Sequence, residues 1–185
     1  MKKPFLSGEH IYLRTIVKSD LTPAYRDWFN DEEVCRFNSH HRFPQYDGNM
    51  RDYYDRVIKS RENLVLAICD KKTDAHIGNI SLLNIDLLNQ SAELGIIIGD
   101  KKQWGKGVGR KASKLLLAHG FNQLNLHRIY CGTNEDNVPM QKLASSLGFI
   151  EEGRARHAMF KDGIFKNVIY YSLLRDDLKK SKKAQ

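Results

Sequence analysis

The segment Gln103-Trp104-Gly105-Lys106-Gly107-Val108-Gly109-Arg110 carries glycine at three alternate positions, between an apolar run and an amphipathic stretch. Glycine reaches backbone conformations closed to other residues, so such a segment can curl its N–H groups around an anion. The first N–H groups of the helix that follows lack partners within the helix, and the helix dipole favours negative charge there. Lys106 and Arg110 add positive charge, Lys106 the less, because a loop lysine is ordinarily solvated. The pattern points to phosphate binding; the plainer reading is a turn and nothing more. Two common phosphate loops do not fit. A triphosphate loop needs G-x-x-x-x-G-K-[ST], whereas Gly109 is followed by Arg110-Lys111, and the G-x-G-x-x-G spacing of dinucleotide loops is missing too. A dinucleotide loop would also follow the first strand of a parallel β-α-β unit. This one follows what reads as an antiparallel meander.

The elements around the loop come from periodicity and end signals. Ile11–Arg14 reads as a first strand. A helix from Asp20, as cap, through Pro23 to Phe29 follows, and a second spans Asn49 to Lys59. Leu64–Cys69, Ile77–Ile85 and Ala92–Ile98 are strand-length apolar runs, with Leu87-Leu88-Asn89-Gln90 turning between the last two. Val108, Ala112, Leu115, Leu116 and His119 fall on one helical face, with Gly120 near its end. Leu126–Cys131 is a further strand. Asn137 caps a helix carrying Met140, Leu143, Ala144 and Leu147, which Gly148 stops. Ile150–Phe160 and Phe165–Leu174 form a hairpin through Asp162-Gly163. The expectation is an α+β fold: one mostly antiparallel sheet of about seven strands with about four helices on it.

Composition bounds the function classes. The 185 residues hold 30 Lys+Arg against 22 Asp+Glu, a formal charge of +8. With glycine the apolar share is about 48%, ordinary for a globular domain and too high for a disordered chain. Length suits one domain, expected over residues 1–176, with a basic tail over 177–185. Lys179, Lys180, Lys182 and Lys183 in that tail account for half of the net charge. A nucleic-acid partner is therefore not required, and the modest remainder suits any anionic ligand. No run approaches the ~18 apolar residues of a membrane span, and no apolar core follows Met1-Lys2-Lys3, so a cytoplasmic protein is expected. Cys35, Cys69 and Cys131 are far apart and read as reduced thiols.

Four segments in order resemble the GNAT (Gcn5-related N-acetyltransferase) family, and most of all its ribosomal-protein serine/alanine N-acetyltransferase branch. They are Ile11–Arg14 with Asp20-Leu21 and Trp28–Val34; Ala92–Gly99; Trp104–Gly109; and Asn137, Lys142 and Leu147–Gly153. The resemblance implies a sheet that splays beside its central strand and acetyl-CoA as the acetyl donor. It places the pyrophosphate on Gly105, Lys106, Gly107, Val108, Gly109 and Arg110. The pantetheine arm would lie along Ile96, Ile97 and Ile98, with Asn137 as a further cofactor contact. Trp104 stands where the family often has Arg or Gln, and Met140 where the branch usually has Ser. Met140 has no proton to give a departing thiolate.

The chemistry implied is direct attack of a neutral amine on the thioester. An alkyl ammonium has a pKa near ~10, so a base must take its proton. Glu93, on the strand that leads to the cofactor, is the candidate base; its plainer role is to orient a loop or attract the amine. Tyr130 is a weaker candidate for the acid. The histidines, including the adjacent His40-His41, offer no metal-ligand spacing, and no metal is expected. His119 reads as a core histidine, while His157 could border the acceptor groove. By resemblance, that groove lies between the first two helices and the last hairpin. There Phe37, His40, His41, Arg42, Phe43, Tyr46, Arg154, Arg156, His157 and Phe160 suit an anionic acceptor. A nucleotide-linked amino sugar or a protein N-terminal amine fits, ahead of a polycationic aminoglycoside. The alternative is a non-catalytic domain that binds ribosomes or nucleic acid, or that senses acyl-CoA.

Overall fold

A computed structural model describes residues 3–178. Eight strands make one sheet, in the order β1-β2-β3-β4-β5-β6-β8-β7. The strands are β1 (Leu6–Ser7), β2 (Ile11–Thr15), β3 (Leu64–Asp70), β4 (His76–Asp86), β5 (Ser91–Ile98), β6 (Arg128–Asn134), β7 (Ile150–Lys161) and β8 (Ile164–Leu174). Among the described residues the helices are α1 (Pro23–Asn30), α2 (Asp47–Lys59), α3 (Val108–Asn122) and α4 (Val138–Ser146), with short 3-10 helices at Lys18–Asp20 and Lys101–Gln103 and a helical stretch at 175–178. The α+β expectation holds, with one strand more than sequence suggested. β1 is a two-residue pairing of Leu6 with Leu13 and Ser7 with Tyr12, too short to leave a periodic signal.

The main core lies between the sheet and α3. Leu13, Leu66, Ile68, Ile80, Leu82, Leu94, Leu116 and Ile129 meet there, all 3% exposed or less. The other face carries α1 and α2, where Tyr25, Phe29 and Met50 pack with Ile97. One boundary expectation needs correction. Asp20 does not cap α1: Thr22 does, its hydroxyl accepting from the Tyr25 N–H. Asp20 is instead a buried partner of Arg14, which donates to it through both terminal nitrogens at 2.6 and 2.7 Å. Gly120 stands near the end of α3, as expected, with Asn122 the last helical residue. A Cβ at Gly120 would sit 3.0 Å from Ile129 Cδ1 and 3.1 Å from Leu82 Cδ1, so this glycine lets the helix approach the sheet closely.

The hairpin turn is as expected, with positive φ at Asp162 (51°) and Gly163 (81°). The folded body includes Leu178, which packs against the main core. The four tail lysines lie outside the described residues. Among the described residues no helix is long and apolar enough to cross a membrane.

Candidate active site

The site begins where two strands part. β5 and β6 are the parallel pair of the sheet, and their register covers only Ser91 with Arg128, Ala92 with Ile129 and Glu93 with Tyr130. Beyond Glu93, β5 continues on β4 alone, from Leu94 opposite Leu82 to Ile98 opposite Gly78. β6 continues on β8 alone. The sheet therefore forks, and Glu93 stands at its apex.

Alternation along β5 decides which groups face the fork. The Gly99 amide donates to Ile77 on β4, whereas the Ile98 carbonyl accepts from the Trp104 indole N–H at 2.8 Å. Residues two apart point their backbone groups the same way. Ile97 thus turns its amide and carbonyl to β4, while Ile96 and Ile98 turn theirs to the open edge. The side chains divide as well. Ala92 and Leu94 enter the main core with Ile96 and Ile98 against it. Glu93, Gly95 and Ile97 face α1 and α2, beside their cross-strand neighbours Leu83, Ser81 and Asn79. A Cβ at Gly95 would lie 2.8 Å from Ser81 Oγ, and one at Gly99 would lie 1.8 Å from the Trp28 ring. These glycines keep the floor level and let α1 lie against the end of β5.

The glycine loop meets β5 at this edge. Gly105 (φ 73°) and Gly107 (φ 72°) are in the left-handed region, and a Cβ at either would meet nothing within 4 Å. Glycine is thus required at both by backbone conformation, and the space above them is open. Gly107 is the N-cap of α3, and Lys111 donates the first helical bond back to it. The N–H groups of Val108, Gly109 and Arg110 precede that bond and have no acceptor in the helix. Lys106 is exposed. Arg110 reaches the Ser146 carbonyl at the end of α4 at 3.5 Å. Trp104, an oddity of the sequence, ties the loop to β5 through its indole.

A cleft of about 1020 Å³ fills the fork and extends under α2. Glu93, Leu94, Gly95, Ile96 and Ile97 line one wall; Gly132, Thr133, Asn137 and Met140 line the other. Asn137 both caps and lines: its Oδ1 accepts from the Met140 N–H at 3.2 Å, and its Nδ2 donates to Thr133 Oγ1 at 2.9 Å. Glu93 accepts from Asn84 Nδ2 at 3.3 Å and is half-buried. Beneath α1, Asn79 donates to the Tyr25 hydroxyl at 2.7 Å and bonds His76 Nε2 at 2.7 Å. Burial lowers the His76 pKa and raises that of Tyr25. Burial likewise raises the Tyr53 hydroxyl on α2. Cys131, close behind Glu93 on the core side, is pushed up to about 12 by burial and stays a thiol. Among the described residues no cluster of His, Cys, Asp and Glu could hold a metal ion.

The expected acceptor residues divide. Phe37 and His40 line the cleft, with His40 edge-on to Phe29 at 4.9 Å. The others are outside its lining. Arg42 donates to the Phe160 carbonyl at 2.8 Å, and Arg154 pairs with Glu151 at 2.9 Å. His157 stacks on Phe165 at 6.2 Å, where β7 bulges. Phe43 and Tyr46 are exposed to solvent. Tyr130 lies outside the lining too, under the Arg128 guanidinium at 5.6 Å. His119 is half-buried, edge-on to Phe5. In place of the expected cations, α2 contributes Asp52, Tyr53 and Arg56. Sequence reading missed these because α2's polar face looks like solvated surface until the fork is seen beneath it.

Comparison with known proteins agrees with this geometry. The profile of the acetyltransferase (GNAT) domain matches residues 10–150. The uncharacterized N-acetyltransferase p20 of Bacillus licheniformis is 38% identical over 92% of this chain and 96% of its own length. YdaF of Bacillus subtilis, described as a candidate ribosomal N-acetyltransferase, is 36% identical; the match spans 53% of this chain and 53% of that protein. The spermidine N(1)-acetyltransferase of Escherichia coli K12 is 29% identical over 88% of this chain and 85% of its own. The fold matches spermidine N-acetyltransferase of Vibrio cholerae, crystallised with CoA and spermine, with a TM-score of 0.83 over 91% of this chain and 97% of that one, at 24% identity. With the forked sheet, the glycine loop at a helix start and these matches together, the chain belongs to the GNAT family of N-acetyltransferases, enzymes whose acetyl donor is acetyl-CoA.

Proposed function

We propose that this protein transfers the acetyl group of acetyl-CoA to the primary amine of a small cationic acceptor held in the fork. The observation that carries the reading is the end of β5–β6 pairing at Glu93, which leaves the Ile96 backbone open beside a cleft. The pyrophosphate would rest on the N–H groups of Gly105 to Arg110, where loop conformation and helix dipole add. The pantetheine arm would pair with Ile96, and Ile97 would contribute only its side chain. Asn137 would flank the thioester. Glu93 would take the amine proton directly or through a water; the amine nitrogen then attacks the carbonyl carbon. With the pantetheine arm on the Ile96 carbonyl, the Ile96 N–H would be left to receive the oxyanion.

Two observations favour a cationic acceptor over an anionic one. The cleft presents the carboxylates of Asp52 and Glu93 against the Arg56 guanidinium, and Arg42, Arg154 and Arg156 lie outside it. Relatives named for spermidine acetylation align over most of the chain. The test is release of CoA thiol over a panel of spermidine, a nucleotide-linked amino sugar and a peptide with a free N-terminus. Turnover with spermidine is expected to exceed the others at least about tenfold. Preference for the peptide would favour a protein N-terminus and restore the ribosomal-protein reading. Preference for the nucleotide sugar would mean the arginines outside the cleft reach the acceptor.

A further inference from the structure

Hydroxyl groups in the cleft bear on how the leaving group is stabilised. The thioester's sulfur departs as a thiolate, and the side chain at 140, on the first turn of α4, is a methionine. A neighbouring hydroxyl that met the developing negative charge would ease the sulfur's departure. Ser81 donates to the Gly95 carbonyl at 3.4 Å. Tyr53 lies on α2, the side proposed for the acceptor. Thr133 lies on β6, across the fork from β5. It comes three residues beyond the last paired residue, Tyr130, just as Ile96 comes three beyond Glu93. The two positions thus stand opposite each other, each about 10 Å past the apex at the usual strand rise.

The hydrogen bonds around Thr133 fix the direction of its proton. Asn137 Oδ1 accepts from the Met140 N–H, which orients the Asn137 amide. Its Nδ2 therefore donates to Thr133 Oγ1, at 2.9 Å. A hydroxyl has one proton and two acceptor lone pairs. One lone pair is used by Asn137, so the proton remains to be donated. Thr133 is 5% exposed and lines the cleft beside Met140 and Asn137. A hydroxyl that already accepts a bond is polarised into a better donor.

We infer that Thr133, held by Asn137, is the hydrogen-bond donor to the departing CoA thiolate. This rests on the reading that acetyl-CoA lies along the fork. In the step, the amine nitrogen forms a bond to the carbonyl carbon and the carbon–sulfur bond breaks. The sulfur leaves with that electron pair and accepts the Thr133 O–H. The ammonium proton has already passed through Glu93 to solvent before attack, and the second proton, shed by nitrogen as the amide forms, is the one Glu93 then takes. Thr133 keeps its own proton, since an alkyl hydroxyl is far too weak an acid to give it up, and the thiolate is protonated from solvent. The role taken by a hydroxyl on α4 in the resembled branch thus moves to the facing strand.

The test needs no acceptor. CoA is bound to the full-length protein, and its thiol is titrated by ultraviolet thiolate absorbance. In the wild type the bound thiol should titrate below its ordinary value near ~8.5. Thr133→Val should raise that titration by about one unit, a tenfold loss of thiolate stabilisation, and Thr133→Ser should restore it. Thr133→Ala should match the valine variant, which covers the case that valine disturbs packing. The other charged or titratable groups facing the cleft are Glu93 on β5, His40 ahead of α2, and Asp52, Tyr53 and Arg56 on α2. They are common to every Thr133 variant, so their fields cancel in the comparison. An unmoved titration in both Thr133→Val and Thr133→Ala overturns the inference, as does a shift produced by Tyr53→Phe instead. Failure of the wild type to bind CoA in calorimetry overturns the donor reading itself.

Discussion

The side of the cleft proposed for the donor is shaped by main chain, and the side proposed for the acceptor by side chains. On the first, the decisive features are two left-handed glycines, a helix start and a strand edge left open at Ile96. On the second they are Asp52, Tyr53 and Arg56 of α2 with Phe37 and His40 of the preceding loop. A main-chain site recognises what every donor molecule shares, phosphate and amide groups, and leaves little room for substitution. A side-chain site can be re-lined one residue at a time while the sheet stays unchanged. The difference teaches why the donor is common to a family whose members' names point to different acceptors.

That contrast can be broken experimentally. Gly107→Glu should have the largest effect, weakening acetyl-CoA binding more than about 100-fold in calorimetry. It forces a side chain into a left-handed conformation and puts a negative charge on the proposed pyrophosphate site. Gly107→Ala isolates the strain, about 1–2 kcal/mol, and should cost less. If Gly107→Glu binds acetyl-CoA as the wild type does, the loop is only a turn. Glu93→Gln, at the apex shared by both sides, should lower kcat about 100-fold or more with acetyl-CoA affinity retained. A rate equal to wild type from about pH 6 to 9 would remove Glu93 as the base.

Asp52→Asn should raise KM for spermidine about threefold to tenfold, as loss of a solvent-facing charge pair does, without moving acetyl-CoA affinity. A change in donor affinity instead would erase the division between the two sides. The smallest effect concerns the support of the β6 arm. Arg128 donates to both oxygens of Glu152 on β7, at 2.5 Å each, and holds that carboxyl at about 2, below its ordinary 4.5. A depressed carboxyl stabilises the fold fully above about pH 4.5 and loses that contribution as pH falls through about 2. The pair is on the surface, so the contribution is no more than about 1 kcal/mol. Glu152→Gln should flatten acid unfolding curves by that amount and leave both substrates' affinities unchanged.

Most of the fold was legible because its signals are local. The stripes of α3 and α4, the Asn137 cap and the Asp162-Gly163 turn each sit within a few residues of sequence. The errors arose where a residue served a distant partner. Asp20 looked like a cap because a carboxylate before Pro23 usually is one, but Arg14 claims it. Gly120 was placed correctly near the end of α3, but its role in letting the helix approach the sheet shows only in the packing. The same distinction runs through the site. The glycine loop and Glu93 were visible, whereas Arg42, Arg154 and His157 were chosen by type and place in the chain and bond elsewhere.

The sequence by itself determined most of the elements, the glycine loop and the family, because conformation at Gly105 and Gly107 and the apolar periods are properties of short stretches. Only the tertiary structure decided where the sheet opens. The fork depends on β6 leaving β5 after Tyr130 to follow β8, a pairing between segments more than thirty residues apart. That divergence turns Ile96 outward, sets Thr133 opposite it and brings α2's carboxylate over the gap. No local pattern encodes it, because strand partners are chosen by packing across the whole sheet.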